Sequence, residues 1–555
     1  MVDAKVPSPP KSISQEAEFA CRRRVGSHLR LGLGVSIVMY QRREVLKIAL
    51  ASAVAPAMSL DIFSLDLFSQ AMAQSPGEPF NPAQIVEMAR ALAAKPYKAP
   101  ANDLPEPFVN LSYDQYAAIQ HKRDKAIWAL NGTGFALEPL HRGYVNSTQM
   151  QLNVVAEGTT RRVSYDPTRY DLGKLTAPTE SREIGFSGLR ILKANDDKSF
   201  SELAVFQGAS VFRSVTSDQT PGVMARGLAI RTADPKGEEF PLFRALWIER
   251  PTLANKALVM HAVLDSESLA GAYRFTIRPG DATIIDIECT LFPRVALDHF
   301  GLAAMQASYL NGPMDRRRGD DVRPGVYEAT GLRMLNGNGE WLWRPISNRE
   351  MLQVSAFVDD SPKGFGFLQT DRSFERFLDD EQHWESKPSL WVEPLGEWGP
   401  GWITLMEVPA DSQLNQNMIA YWRPKSALAA GSENSFAYRQ FWCWNPPEKP
   451  PLATARLSRG GRAPNAAANS RKRRFLVEFS GDNLSEIESS KQIEVKLSTS
   501  QGQISNLRKV FSSERKSCRI LFDLDPGNDT LAELRLILET QGKPISETWL
   551  YRWTP

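Results

Sequence analysis

Ile285, Ile287, Cys289 and Leu291 are apolar, and the residues between them, Asp286, Glu288 and Thr290, are polar. A period of two places the first set on one face of a β-strand and the second set on the other. Pro279-Gly280 just upstream is a turn signal, so the segment reads as one arm of a hairpin. Beyond Trp128 such short runs recur, punctuated by glycine and proline and without a sequence repeat. Strands of this kind must bury one face against another sheet. The pattern predicts a mainly β chain built as a large antiparallel sandwich, and argues against a βαβ architecture. At 555 residues the chain exceeds one ordinary domain, and its 42% hydrophobic content suffices for a large core.

Two short helices are expected before the strands. Asn81-Pro82 can start the first, with Ile85, Met88, Ala89 and Leu92 on one face. Ser112 with Gln115 forms a capping box for the second, which turns Tyr116 and Ile119 inward.

The N-terminus carries an address. Gln41-Arg42-Arg43-Glu44-Val45-Leu46-Lys47 is a twin-arginine pattern ahead of an apolar run from Ile48 to Leu60. Ala71-Met72-Ala73 supplies a small-x-small cleavage site before Gln74. This reads as a leader over residues 1–73 for twin-arginine export to the periplasm. The apolar run is too short and alanine-rich for a membrane span, so no stable membrane insertion is expected. Met39 lies two residues before Gln41 and is an alternative start.

Charge and cysteines narrow the function classes. Lysine plus arginine exceeds aspartate plus glutamate by only 66 − 64 = 2, which implies no nucleic-acid partner. Cys289, Cys443 and Cys518 remain after cleavage, an odd and widely spaced set without a disulfide framework. The histidines are scattered, so neither a metal nor another cofactor is expected.

Residues 447–472 are rich in proline, alanine and basic residues with little to bury, and read as a linker between a domain at 74–446 and another at 473–555. Strands resume with Phe475/Val477/Phe479, Ile493/Val495/Leu497, Ile520/Phe522/Leu524 and Leu534/Leu536/Leu538. About 80 residues of short alternating strands suggest a small immunoglobulin-like sandwich.

Nine of the thirteen tryptophans lie between Trp341 and Trp444, interleaved with charged residues. An indole offers an apolar face and one N–H donor, which suits the C–H faces and hydroxyls of a sugar. The same composition also describes a tryptophan-rich β core, because large aromatics are highly buried on average. Spacing alone identifies no reaction.

The segments LPEPFVNLSYDQY, EIGFSGLRIL, VFQGASVFRSV, ARGLAIRTAD, LDSESLAGAYRFTI, NGNGEW, PKGFGFLQTDR, KPSLWVEP and SETWLY occur in this order. With them the chain resembles the periplasmic glucans biosynthesis proteins G and D over nearly all of its mature length, leaning toward D through the twin-arginine pattern. The resemblance implies a mutarotase-like β-sandwich followed by an immunoglobulin-like domain. It implies a role in making osmoregulated periplasmic glucans, whose backbone is β-1,2-linked glucose, with a membrane glucan synthase as a candidate partner. Some members are inverting β-1,2-glucanases or transglycosylases. A glucan groove near the tryptophans would use Trp341, Trp343, Trp391 and Trp398 for stacking and Arg344, Lys363, Asp371 and Glu393 for hydroxyl contacts. Arg344 and Glu393 could equally form a buried pair.

The chain departs from active members at the chemical positions. Their base is an aspartate in a loop resembling H-D-S-D-G-L, where this chain has Tyr327-Glu328-Ala329-Thr330-Gly331-Leu332. Glu328 keeps the carboxylate and adds a methylene. Their acid is the aspartate of a segment resembling E-T-x-D-N-I, which here reads Gln413-Leu414-Asn415-Gln416-Asn417-Met418. An amide cannot donate a proton as a general acid. Asp411 in the same loop is an alternative acid only if the loop folds back. Two functions therefore stand: a glucan-binding or glucan-shaping accessory protein, and an inverting endo-β-1,2-glucanase or transglycosylase acting on the same or a related glucan.

Overall fold

A computed structural model describes residues 79–555, apart from 102, 131, 177–182, 253–255, 316–319, 465, 468, 469 and 488. Arg42, Arg43 and the Ala71-Met72-Ala73 site lie outside the described residues.

The Pro279-Gly280 hairpin forms as its alternation predicts. Strands Leu269–Arg278 and Thr283–Pro293 pair antiparallel, with Ile285, Ile287, Cys289 and Leu291 buried and Glu288 exposed. This hairpin is central to the larger of two extensive sheets. On one side it continues through Leu258–Asp265 and Leu242–Glu249, and on the other through Asn434–Cys443, Ser389–Pro394, Gly364–Leu368, Gly331–Leu335 and Trp341–Pro345. The second sheet runs Phe135–Leu140, Gly188–Ala194, Phe200–Gln207, Val211–Ser214, Met224–Arg226, Phe300–Ala307, Met418–Pro424, Gly401–Glu407 and Gln353–Asp359. The apolar faces share one core. Phe206 and Phe212 of the second sheet meet Phe275 of the first, with ring centroids 5.2 and 5.6 Å apart.

The first helix spans Ala83–Ala93. Ile85 and Ala89 are buried, and Met88 and Leu92 pack partly buried beside them against the large sheet. Asn81 Oδ1 accepts from the Ala83 N–H at 3.0 Å. The second helix, Tyr113–Ala117, has the expected reciprocal capping box between Ser112 and Gln115.

The stretch read as a linker holds a strand, Thr454–Arg462, which pairs antiparallel with Arg473–Ser480. Backbone N–H and C=O groups make that ladder whatever the side chains, so a composition poor in large apolar residues does not exclude it. Ala455 is its buried contribution. Arg473–Ser480, Ser517–Asp525 and Gln503–Ser512 complete a four-stranded sheet. The remaining C-terminal strands, Glu494–Thr499, Ala532–Thr540 and Thr548–Trp553, extend the large sheet instead. Thr548 and Trp549 pair in parallel with Leu342 and Trp343. Hydrogen bonding thus runs without a break from residues 341–345 into the C-terminal strands, and the buried Arg333–Glu547 ion pair at 3.0 Å crosses the same junction. The expected division at residue 473 does not coincide with a break in the sheet.

His141 illustrates a consequence of burial away from the sheets' centre. Its ring sits among Phe108, Tyr165 and Tyr170, and burial lowers its pKa to about 4 from 6.5. Between those values the unfolded chain binds a proton that the folded one refuses. This contribution to stability is complete above pH 6.5 and is lost as pH falls toward 4, by about 3 kcal/mol. Urea unfolding midpoints measured across that window should show the loss, and His141→Gln should remove the His141 share of it.

Candidate functional site

Ser308, Tyr309, Glu328, Gln413, Gln416 and Asn417 come together where the loop after Gly401–Glu407 crosses the end of Phe300–Ala307. The short strands Tyr309–Asn311 and Val326–Tyr327 pair, and the Tyr309 and Tyr327 rings stack at 5.2 Å. Immediately beyond them the Glu328 N–H donates to Ser308 O at 2.9 Å, and Glu328 Oε2 accepts from the Ser308 N–H at 2.8 Å. The crossing loop is clamped to the same point. Ser308 Oγ donates to Gln413 O at 2.6 Å, the Tyr309 N–H donates to Asn417 Oδ1 at 2.9 Å, and Asn417 Nδ2 donates to Tyr309 O at 3.0 Å.

This clamp brings the two chemical positions into contact. Gln416 Nε2 donates to Glu328 Oε1 at 3.3 Å. Glu328 is buried, 7% exposed, rather than standing at a groove rim as its role would suggest. Burial pushes its carboxyl above the usual carboxylate range, against the two hydrogen bonds and the positive charge of Lys387. Lys387 is itself buried. Its Nζ donates to Pro221 O at 2.8 Å and lies 5.3 Å from the centre of the Trp384 ring. Gln413, the second altered position, accepts from Arg323 Nη1 at 2.7 Å. The same Nη1 pairs with Asp379 at 2.7 Å, and Trp384 Nε1 donates to Asp379 at 2.8 Å. Arg323 and these other donors hold the Asp379 carboxyl well below its ordinary pKa. Asp411, on the crossing loop, is exposed.

The tryptophans do something else. Trp341, Trp343, Trp391 and Trp398 are all buried, at 5%, 1%, 0% and 8% exposure, which corrects their assignment as sugar-stacking platforms. Trp341, Trp343 and Trp391 belong to the core shared with the C-terminal strands, and Trp398 packs on Tyr438 in the main core. Two glycines fit this role: a Cβ at Gly364 would strike the Trp391 indole, and one at Gly331 would strike Trp343. Arg344 pairs with Glu407 at 2.9 Å, both side chains being buried, and not with Glu393. Glu393 accepts from Trp391 Nε1 at 3.0 Å. Arg344 is therefore not the free hydroxyl contact expected of it, Glu393 is half-buried with one oxygen engaged, and Lys363 is exposed. Of the eight proposed binding residues, Asp371 is tied to the neighbour of Glu328: Tyr327 Oη donates to it at 2.8 Å.

Two spaces open beside Asp371. One, between Tyr309, Tyr327, Thr330 and Trp343, has a volume of about 10 Å³, room for a water at most. The other is a cleft of about 760 Å³ between residues 370–376 and the C-terminal strands. Ser308, Tyr309, Arg323, Asp379, Lys387 and the cleft arginines were not singled out from sequence. Arg372 and Lys387 lie in segments that carry the resemblance, PKGFGFLQTDR and KPSLWVEP, and Asn417 adjoins Gln416; the others fall in no such segment.

The family described as "Periplasmic glucan biosynthesis protein, MdoG" matches residues 80–553. Glucans biosynthesis protein G of Vibrio cholerae serotype O1 (strain ATCC 39541) is 44% identical over 474 residues, covering 85% of this chain and 86% of its own. The proteins of the same name from Shewanella sp. (strain ANA-3) and Shewanella baltica (strain OS195) are 41% and 42% identical, each over 86% of this chain and 87% of its own. A galactose mutarotase related enzyme from Lactobacillus acidophilus aligns with 43% of this chain and 96% of its own, at 8% identity and a TM-score of 0.20, a likeness too slight to carry an argument. The matched length and these identities establish that the chain belongs to the periplasmic glucan biosynthesis protein family.

Proposed function

We propose that this chain binds and shapes a β-1,2-linked glucose backbone during periplasmic glucan biosynthesis, without efficient hydrolysis. The contact between Gln416 Nε2 and Glu328 Oε1 carries the reading. Inverting hydrolysis requires a protonated acid on one side of the scissile bond and a base with its water on the other, about 6.5–9.5 Å apart. Here the acid position is an amide. The two side chains, each one methylene longer than the aspartates of active members, also meet across the space a water would need. The second reading, an inverting glucanase or transglycosylase, is favoured by the carboxylate retained at Glu328. Calorimetric titration of the mature chain with linear β-1,2-glucan tests the first. Saturable binding is expected, with a β-1,4-linked glucan of similar length binding at least tenfold more weakly. Equal affinity for both, or no heat of binding to either, would remove the proposal.

The twin-arginine pattern at Arg42-Arg43 supports export in folded form, and the alternating C-terminal strands support an immunoglobulin-like fold for residues 473–555. Replacing Arg42 and Arg43 together by lysine should leave the precursor in the cytoplasm by fractionation. Normal periplasmic accumulation of the double variant would discard the export route.

A further inference from the structure

The cleft of about 760 Å³ is lined by Thr370, Asp371, Arg372, Ser373, Arg376, Arg456, Leu457, Glu478 and Arg519. Four arginines face two carboxylates there, a balance of 4 − 2 = +2 in one cleft. The whole chain of 555 residues carries that same net charge. The arginines are not equally neutralised. Arg519 pairs with Glu478, and Arg376 makes a long contact with Asp371 at 3.7 Å. Arg372 donates only to neutral acceptors: Glu385 O, Lys387 O, Ser389 Oγ and Trp444 O, at 2.6–3.3 Å. Its guanidinium lies 4.7 Å from the centre of the Trp444 ring. Among the described residues, neither Arg372 nor Arg456 has a carboxylate within ion-pair distance. Burial lowers the Arg372 pKa to about 10, the cost expected of a cation held in a wall without a counter-ion.

We propose that this cleft binds a sugar bearing a phosphate-type oxyanion. Guanidinium groups match the planar, multi-acceptor face of such an anion; exposed Arg456 can meet it directly, while Arg372, its terminal N–H groups spent on four protein acceptors, adds uncompensated charge to the wall. The volume is in the range of small-molecule sites and far exceeds what a free oxyanion fills, so the anion is expected on a larger polar body. Thr370 and Ser373, with hydroxyl side chains, and the Asp371 carboxylate supply the donors and acceptors that sugar hydroxyls use. Asp371 lines both this cleft and the small space against Tyr309 and Tyr327.

Arg372 ties together the backbone of residues 385–389 and Trp444, so its removal would confuse binding with folding. Arg456→Gln with Arg519→Gln avoids this, because both side chains are exposed. Calorimetric titration of the mature chain with glucose 6-phosphate, inorganic phosphate and glucose, at low ionic strength, gives the test. Glucose 6-phosphate should bind saturably and more tightly than inorganic phosphate, glucose should show no binding, and affinity should fall as NaCl is raised. The double variant should weaken glucose 6-phosphate binding by roughly ten- to a hundredfold at an unchanged melting temperature. Its affinity for neutral β-1,2-glucan should stay that of the wild type, so failure of this site and failure of the glucan reading are distinguishable. Inorganic phosphate binding as tightly as glucose 6-phosphate would overturn the sugar component. Unchanged glucose 6-phosphate affinity in a folded double variant would overturn the site.

Discussion

Replacing Gln416 and Glu328 together by aspartate should raise hydrolysis of linear β-1,2-glucan by about 10²–10⁴-fold over the wild type. That is the factor general acid catalysis typically supplies, and an amide at 416 cannot supply it. Geometry favours the double change over either single one. In the wild type the two side chains touch at 3.3 Å. Each aspartate is shorter by one methylene, about 1.5 Å of reach, so the pair opens by about 3 Å, to the lower end of the inverting range. The single variant Gln416→Asp should gain less, and its pH profile should carry a signature. Glu328 must be ionised to act as base, and burial already holds its pKa above the ordinary value. A second carboxyl alongside raises it further, because two like charges at contact resist joint ionisation. Activity of the single variant should therefore rise with pH on a limb lying above the usual glutamate pKa of 4.5. A limb at or below that value would show that Glu328 is not the base.

Trp391→Ala should cost about 3–5 kcal/mol of stability while leaving the affinity for β-1,2-glucan in the surviving folded protein within about twofold. The indole is 0% exposed, stacks on Trp341 with centroids 5.8 Å apart, and is walled by Gly364. Its truncation leaves a large cavity in the core that residues 341–391 share with the C-terminal strands. Its N–H also leaves Glu393 without a donor. Urea unfolding midpoints and a binding isotherm on the same preparation separate the two effects. A stable variant that no longer binds glucan would reinstate the tryptophan as a sugar contact.

These residues show what sequence could and could not convey. The alternation at residues 283–293 was legible because the side-chain period of a strand with one exposed face is written directly in polarity. The Ser112–Gln115 capping box was legible because it depends on two residue types at a fixed local spacing. Strand Thr454–Arg462 was not, since its backbone ladder leaves little side-chain trace. Tryptophan composition could not separate core from stacking surface: both want a large flat ring with one donor. Family position drew attention to Glu328 and Gln416, whose side chains meet in the structure. Their direct contact depends on Ser308, Tyr309 and Asn417, more than a hundred positions apart in part, and no local pattern encodes it. The same holds for the arginine cleft, assembled from residues 372, 376, 456 and 519.

The most direct measurement is the chain-length distribution of linear β-1,2-glucan after prolonged incubation with wild-type protein at a concentration that saturates binding. With Gln416 against Glu328, the distribution should stay unchanged, and it should shorten when the protein carries aspartate at both positions. Vigorous shortening by the wild type that persists in Glu328→Gln would contradict both the assigned site and the proposal that this chain binds its glucan without cleaving it.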